Sequence, residues 1–235
     1  QVHTHEPIGI LLERLEEDTF YFNVNANTHP LDVSFAVVRA VAAMHAWSWG
    51  KRADEQFGLM RHNDATFVPS WSLFVQERWS LFESRWTNAL SSKHMTLLRS
   101  IASNFRRIQD AVSEEPLCVC HGDVKAPNLV FQRTSMQPVF LDWQYVAYGK
   151  GVADVLFYCI ESLNPARFKQ WHRVLLELYW TELHELGVEY ARAQFDKDVV
   201  HALCHFPFFV AVWFGTTPPC DLIDVNFPFF FIQRY

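Results

Sequence analysis

Apolar positions along most of the chain recur at three- and four-residue spacing, and only one central stretch gathers them into short runs. From Asp32, the residues Val33, Ala36, Val37, Ala40, Val41 and Met44 repeat as one face of a helix. Asp32 is placed to cap it, and Trp49-Gly50 to stop it, glycine being a natural helix end. A second helix is predicted from Ser70 to about Leu90, and a third from about Lys93 to Val112 with Leu97, Leu98, Ile101 and Phe105 on one side. Three extended pieces follow at 117–120, 128–132 and 138–141, alternating with turns. Helices resume over 152–163 and, after the Asn164-Pro165 break, over 166–186 with Gly187 as the stop. A last helix from about Asp196 meets Pro207, which should kink or end it. Toward the N-terminus, Ile8 to Leu12 reads as a buried strand, 16–31 as a polar connection, and 51–69 as loop-rich. The pattern predicts an α+β chain, mostly helical, with a small β element in its middle.

Composition narrows the function classes. Half of the 235 residues are apolar, with 9 Trp and 21 Phe, enough for a well-buried core. A net charge of −6 argues against a nucleic-acid binder held by a basic surface. No unbroken apolar run reaches the roughly 18 to 20 residues of a membrane span; Phe206–Trp213 and Phe227–Ile232 are short and contain proline, which suits core or interface. Five cysteines, an odd number, do not make a disulfide framework. Cys118 and Cys120 point the same way from one strand, and no C-x-x-C joins them as a zinc site. Reduced, buried thiols in an intracellular compartment, the cytoplasm or an organelle, are the expectation. His201 and His205 have metal-ligand spacing, but no glutamate-bearing zinc signature accompanies them. A chain that opens on Gln1 with no signal-peptide pattern is expected to be processed, trimmed or partial.

The chemistry concentrates in His121-Gly122-Asp123-Val124-Lys125-Ala126-Pro127-Asn128, followed by Phe140-Leu141-Asp142-Trp143-Gln144. Phosphoryl transfer asks a protein for positioning and charge compensation. In this order Asp123 is placed to take a proton from an incoming hydroxyl, and Lys125 to balance charge beside it. Asn128 and Asp142 supply the hard oxygens that Mg2+ prefers. His121 reads as a structural imidazole that holds the turn. A lone His-Gly-Asp is common; the full spacing, with Asp142 fourteen residues after Asn128 at a strand end, is far rarer. Trp143 and Tyr145 read as packing residues. Asp154 reads as the anchor of its helix that orients the loop, with Glu161 two turns on along the same face.

On these motifs, residues 117–161 resemble the aminoglycoside phosphotransferase and choline kinase superfamily, which has a protein-kinase-like fold. The Leu141-Asp142-Trp143-Gln144 run, Gly149 and Asp154 are most similar to its ecdysteroid-kinase-like branch. Ala43-Met44-His45-Ala46, with Trp47 and Trp49, resembles that family's Leu-His-Ala helix, and Tyr179 to Val188 its C-terminal half. Leu11 to Leu15 resembles the hinge between lobes. The resemblance implies ATP and Mg2+ as cofactors and a small-molecule alcohol as acceptor. It also implies backbone contacts to adenine at Leu12, Glu13 and Leu15. It divides the chain into residues 1–15, a hinge strand and linker, and 16–235, a kinase-like C-lobe whose N-lobe is missing. Half of the ATP enclosure would then be absent, and these residues alone are expected to be inactive. The alternative is a kinase-derived lobe serving as a structural subunit, with a protein partner over the hinge strand and the aromatic C-terminus. The acceptor is not specified; aromatics around 143–148, 171 and 206–214 suggest a bulky apolar or cationic alcohol.

Overall fold

The computed structural model describes residues 13–22, 24, 31–50 and 69–222. The predicted strand Ile8 to Leu12, the loop-rich stretch up to residue 68 and Phe227–Ile232 lie outside them. Seven α-helices are described: α1 (Leu31–Ser48), α2 (Pro69–Trp86), α3 (Ser92–Val112), α4 (Val152–Ser162), α5 (Pro165–Glu185), α6 (Arg192–Leu203) and α7 (Phe206–Thr216). Five short strands accompany them: β1 (Phe20–Tyr21), β2 (Cys118–Cys120), β3 (Leu129–Gln132), β4 (Pro138–Phe140) and β5 (Ala147–Gly149). The mostly helical α+β reading of the pattern is what forms.

The molecule is built around α4. Apart from Asp154, Glu161 and Ser162 its residues are apolar, and all but Ala153 and Glu161 are buried. Val155, Leu156, Tyr158 and Cys159 face a core shared with α1, α5 and α6. Phe157 and Ile160 face a second core made by α2, α3 and α7, dense in stacked rings such as Trp71 on Phe209 and Trp79 on Phe82. Helix α5 starts where its cap dictates: Asn164 Oδ1 accepts the Arg167 N–H at 2.9 Å and Pro165 opens the first turn.

Several details depart from the pattern-based expectation. Helix α1 begins at Leu31, so Asp32 sits inside the first turn and is not the cap. Its buried face is Val33, Ser34, Val37, Val38, Val41, Ala42, His45 and Ser48; Ala36, Ala40 and Met44 are only half-buried. The stripe is rotated because α1 packs on both α5 and β2. Helix α2 ends at Trp86, short of Leu90. On α3, Leu97 is 51% exposed, and Met95 takes its place beside Leu98, Ile101 and Phe105. Helix α6 starts at Arg192, and Pro207 does not end it; it stands in the first turn of α7, where a missing N–H costs nothing. His201 and His205 are therefore not on one helix face, since the chain turns at Cys204 and His205. Taken together, Arg192–Thr216 is long and apolar enough for a membrane crossing, but most of it is buried within the molecule as core.

Two small sheets carry the site. β2 pairs antiparallel with β5, Cys118 opposite Gly149 and Cys120 opposite Ala147. The second sheet has the order β1-β3-β4, with Leu129 opposite Phe140 and Tyr21 opposite Phe131. Strand β1 lies in the stretch read as a plain connection. Arg133 ties this stretch to the β3–β4 turn, donating its N–H to Thr19 O (2.9 Å) and its Nε to Glu17 O (2.7 Å).

Candidate active site

The chain between β2 and β3 is a loop, His121–Lys125, and a single 3-10 turn, Ala126–Asn128. Its backbone is fastened to α4 by one carboxylate. Asp154, 1% exposed, accepts the His121 N–H through Oδ2 (2.7 Å) and the Gly122 N–H through Oδ1 (2.9 Å). Further along, Ser162 Oγ accepts the Ala126 N–H at 2.9 Å. Helix α4 thus holds the loop from its first turn and its last.

His121 is fully buried and uses both ring nitrogens on the backbone. Nδ1 accepts the Asp123 N–H (3.2 Å), which assigns the ring proton to Nε2, 2.9 Å from Leu141 O. The imidazole therefore spans from the loop to the end of β4. Leu141 is held on its other side too, its N–H donating to Asn128 O at 2.9 Å. Asp142 follows directly, with φ +60°, a left-handed conformation that Asp tolerates better than most residues. It is exposed, and Gln144 Nε2 donates to its Oδ2 at 3.2 Å.

Asp123 is the buried acid of the loop, 2% exposed. Its Oδ2 accepts Asn128 Nδ2 (2.9 Å) and pairs with Lys125 Nζ (2.9 Å); Asn128 Nδ2 also reaches Asp123 O at 3.0 Å. The Asn128 amide nitrogen is thus committed, and its carbonyl oxygen is the group left to face a cation. Geometry thereby brings Asp123, Lys125 and Asn128 together, and joins Asn128 and His121 to the residue before Asp142. Glu13 (exposed) and Leu15 (half-buried) lie in irregular chain ahead of β1, and Leu12 falls outside the described residues. Trp143 lies across His121 at 4.6 Å between ring centroids and is 41% exposed; Tyr145 packs against Phe206.

Gly122, at φ +83°, lets the loop turn against the β4–β5 connection: a Cβ there would run into the Tyr145 backbone and side chain. Gly122→Ala is expected to cost about 1–3 kcal/mol, from the left-handed backbone and the displaced Tyr145, read by chemical denaturation.

Behind the loop, His45 of α1 completes the clasp. Its Nε2 lies 3.2 Å from Asp154 Oδ2 and its Nδ1 lies 2.9 Å from Tyr179 Oη. Burial disfavours charge on both partners. Against it, the neighbouring Cys118 and the Asp154 hydrogen bond hold His45 above its ordinary 6.5. The His45 hydrogen bond and charge hold the Asp154 carboxyl below its ordinary 3.8. Asp154's contribution to stability is present above that ordinary carboxylate value and lost as pH falls through its lowered folded value. The His45 contribution is full below 6.5 and lost as pH rises through its raised folded value. Urea melts across pH are expected to show both limbs, and both should flatten in His45→Gln.

Neither His45, Ser48 (whose Oγ accepts the Val119 N–H at 2.9 Å), Ser162 nor Tyr179 was assigned a role from sequence. Besides the family resemblance around His45 and Tyr179, the available signal was a histidine on the apolar stripe of α1, which must find a partner once buried.

The sequence profile of the ecdysteroid kinase-like family matches residues 2–189. The chain belongs to the ecdysteroid kinase-like family. No curated protein gives a significant sequence match. Among solved structures, a choline/ethanolamine kinase family protein from Mesorhizobium loti is similar at 16% identity and a TM-score of 0.55, over 88% of this chain and 62% of that one. A choline kinase from Streptococcus pneumoniae is similar at 13% identity and a TM-score of 0.54, over 90% of this chain and 64% of that one. These likenesses show a protein-kinase-like fold, and the ecdysteroid kinase-like chain spans less than two thirds of either kinase.

Proposed function

We propose that this ecdysteroid kinase-like chain carries the catalytic loop of an ATP-dependent kinase that phosphorylates a hydroxyl of a small molecule. The observation that carries the reading is the state of Asp123: buried, oriented by Asn128 and paired with Lys125, on a loop whose backbone is fixed by Asp154. In this reading Asp123 accepts the acceptor's proton at a carboxylate oxygen. Lys125 compensates charge on Asp123 and on the arriving phosphoryl group. The Asn128 carbonyl oxygen and the Asp142 carboxylate would hold Mg2+, a fit to the hard oxygen donors this ion prefers. When bound, the ion offsets charge on the nucleotide phosphates. Asp142 stands in a left-handed backbone at a loop mouth, a kind of outlier that clusters at functional sites. Residues 13–15, tethered through β1 to the sheet whose strand β3 follows directly on Asn128, fit the hinge role, and with it the division between 1–15 and 16–235. Cys118, Cys120 and Cys159 are buried free thiols, which suits an intracellular, reducing compartment.

The test is nucleotide binding and turnover by the full-length protein against a panel of amino-sugars, choline-like alcohols and sterols. Asp142→Ala is expected to lose the Mg2+-dependent part of ATP binding, at least tenfold in Kd by calorimetry, which is about 1.4 kcal/mol. Unchanged binding in that variant would remove Asp142 from the reading, and a wild-type protein that ignores ATP would remove the reading itself.

A further inference from the structure

Strand β2 presents two thiols to the same interior space, and α1 delivers an imidazole to it. His45, Cys118 and Cys120 are at most 1% exposed, and their candidate ligand atoms all lie within 4.8 Å of one another. The orientation of His45 is what separates this cluster from three packed side chains. A Cβ placed on Gly151 would collide with His45 Nδ1, Cys118 Sγ and Tyr179 Oη together, so these three atoms meet at one point on the glycine backbone. The opposite nitrogen, Nε2, is turned to the Asp154 carboxylate at 3.2 Å. A histidine that faces sulfur with one nitrogen and gives its other N–H to a carboxylate has the arrangement found around metal-bound imidazoles.

We propose that His45 Nδ1, Cys118 Sγ and Cys120 Sγ form a buried site for a soft divalent cation such as Zn2+, set behind the catalytic loop. Ligands at 2.0–2.3 Å around a tetrahedral ion stand ~3.3–3.8 Å apart, so atoms now within 4.8 Å of one another have to close by about 1.5 Å at most. Two thiols with one imidazole match the donor set of such an ion and are poor ligands for Mg2+, which leaves this site chemically separate from Asn128 and Asp142. Binding releases the two thiol protons, and the Nδ1 proton wherever His45 is protonated, to solvent, and exchanges the Tyr179–His45 hydrogen bond for a metal–nitrogen bond. The Tyr179 hydroxyl, released from Nδ1, would be available as a fourth ligand. The thiol contacts are long, Cys118 Sγ to Gly149 O at 3.8 Å and Cys120 Sγ to Cys118 O at 3.6 Å, and the two thiols also interact with each other, weak bonds that metal–sulfur bonds would replace. Because Asp154 holds His45 and the loop N–H groups with one carboxylate, an occupied site would brace the loop from behind.

The test uses the full-length protein, reduced, stripped with a chelator and equilibrated with Cd2+ as the probe. One tightly held Cd2+ per chain is expected, with the ultraviolet charge-transfer band of cadmium–thiolate bonds. Cys118→Ser and Cys120→Ser should each lose the band and weaken binding at least a hundredfold. Cys159→Ser and Cys220→Ser should leave both unchanged. A measurement that needs no variant is X-ray absorption of zinc-loaded wild-type protein, expected to show two sulfur neighbours and one imidazole. No stoichiometric uptake, uptake that depends on the exposed Cys220, or a zinc shell of oxygen and nitrogen alone would each overturn the proposal.

Discussion

Replacing Asp154 by alanine is expected to destabilise the protein by about 3–5 kcal/mol, the usual result of removing one partner of a buried pair. The figure follows from what the carboxylate leaves behind. The N–H groups of His121 and Gly122 lose their acceptor, at about 1–3 kcal/mol each when buried and unsatisfied. His45 loses its counter-charge while remaining fully enclosed. Water entering the space of the missing carboxylate would repair part of this, which favours the lower end. Urea unfolding at pH 6 measures it, and a loss below 1 kcal/mol would show that the loop does not depend on this anchor. Asp154→Asn keeps one acceptor oxygen and should fall between alanine and wild type.

Asp123→Asn should leave folding and ATP binding close to wild type while lowering turnover about 10²–10⁴-fold, the range for loss of a general base. The amide keeps the shape and can still meet Asn128 across the loop, but it cannot take a proton and no longer balances Lys125. The contrast with Asp154 is the informative part. One carboxylate shapes the loop and its loss appears in unfolding curves; the other acts in the reaction and its loss appears in rate. If Asp123→Asn turned over at the wild-type rate once an acceptor is known, the general-base role would be wrong.

Helix positions and the small β element were legible because they rest on local periodicity: 3.6 for α3 and α5, short runs bounded by turns for β2 to β4. The His121–Asn128 spacing was legible for a similar reason, since one loop carries its residues in order. What the sequence withheld are contacts between distant segments. The rotation of α1 depends on two partners at once, and no period within α1 encodes their placement. The left-handed backbone at Asp142 arises because Leu141 is pinned by Asn128 and His121. Lys150 and Asp198 form an ion pair at 3.1 Å with side chains 2% and 1% exposed, and Tyr190 donates to the same carboxylate at 2.6 Å. Nothing near either residue in the sequence marks it as buried. Pro207 misled for a different reason: proline is a stop in the middle of a helix and a start in its first turn.

The carboxylate of Asp154 also imposes an order of assembly. It collects His45, His121 and Gly122, three points that the ribosome delivers long before Asp154 itself emerges. The His121 and Gly122 N–H groups precede their acceptor by 33 and 32 residues and His45 precedes it by 109, and contacts of such separation are slower to close than local ones. Until α4 docks between the two halves of the interior, His121 and Gly122 have only water to bind. The loop therefore takes its final form only once α4 has been made and has docked against it.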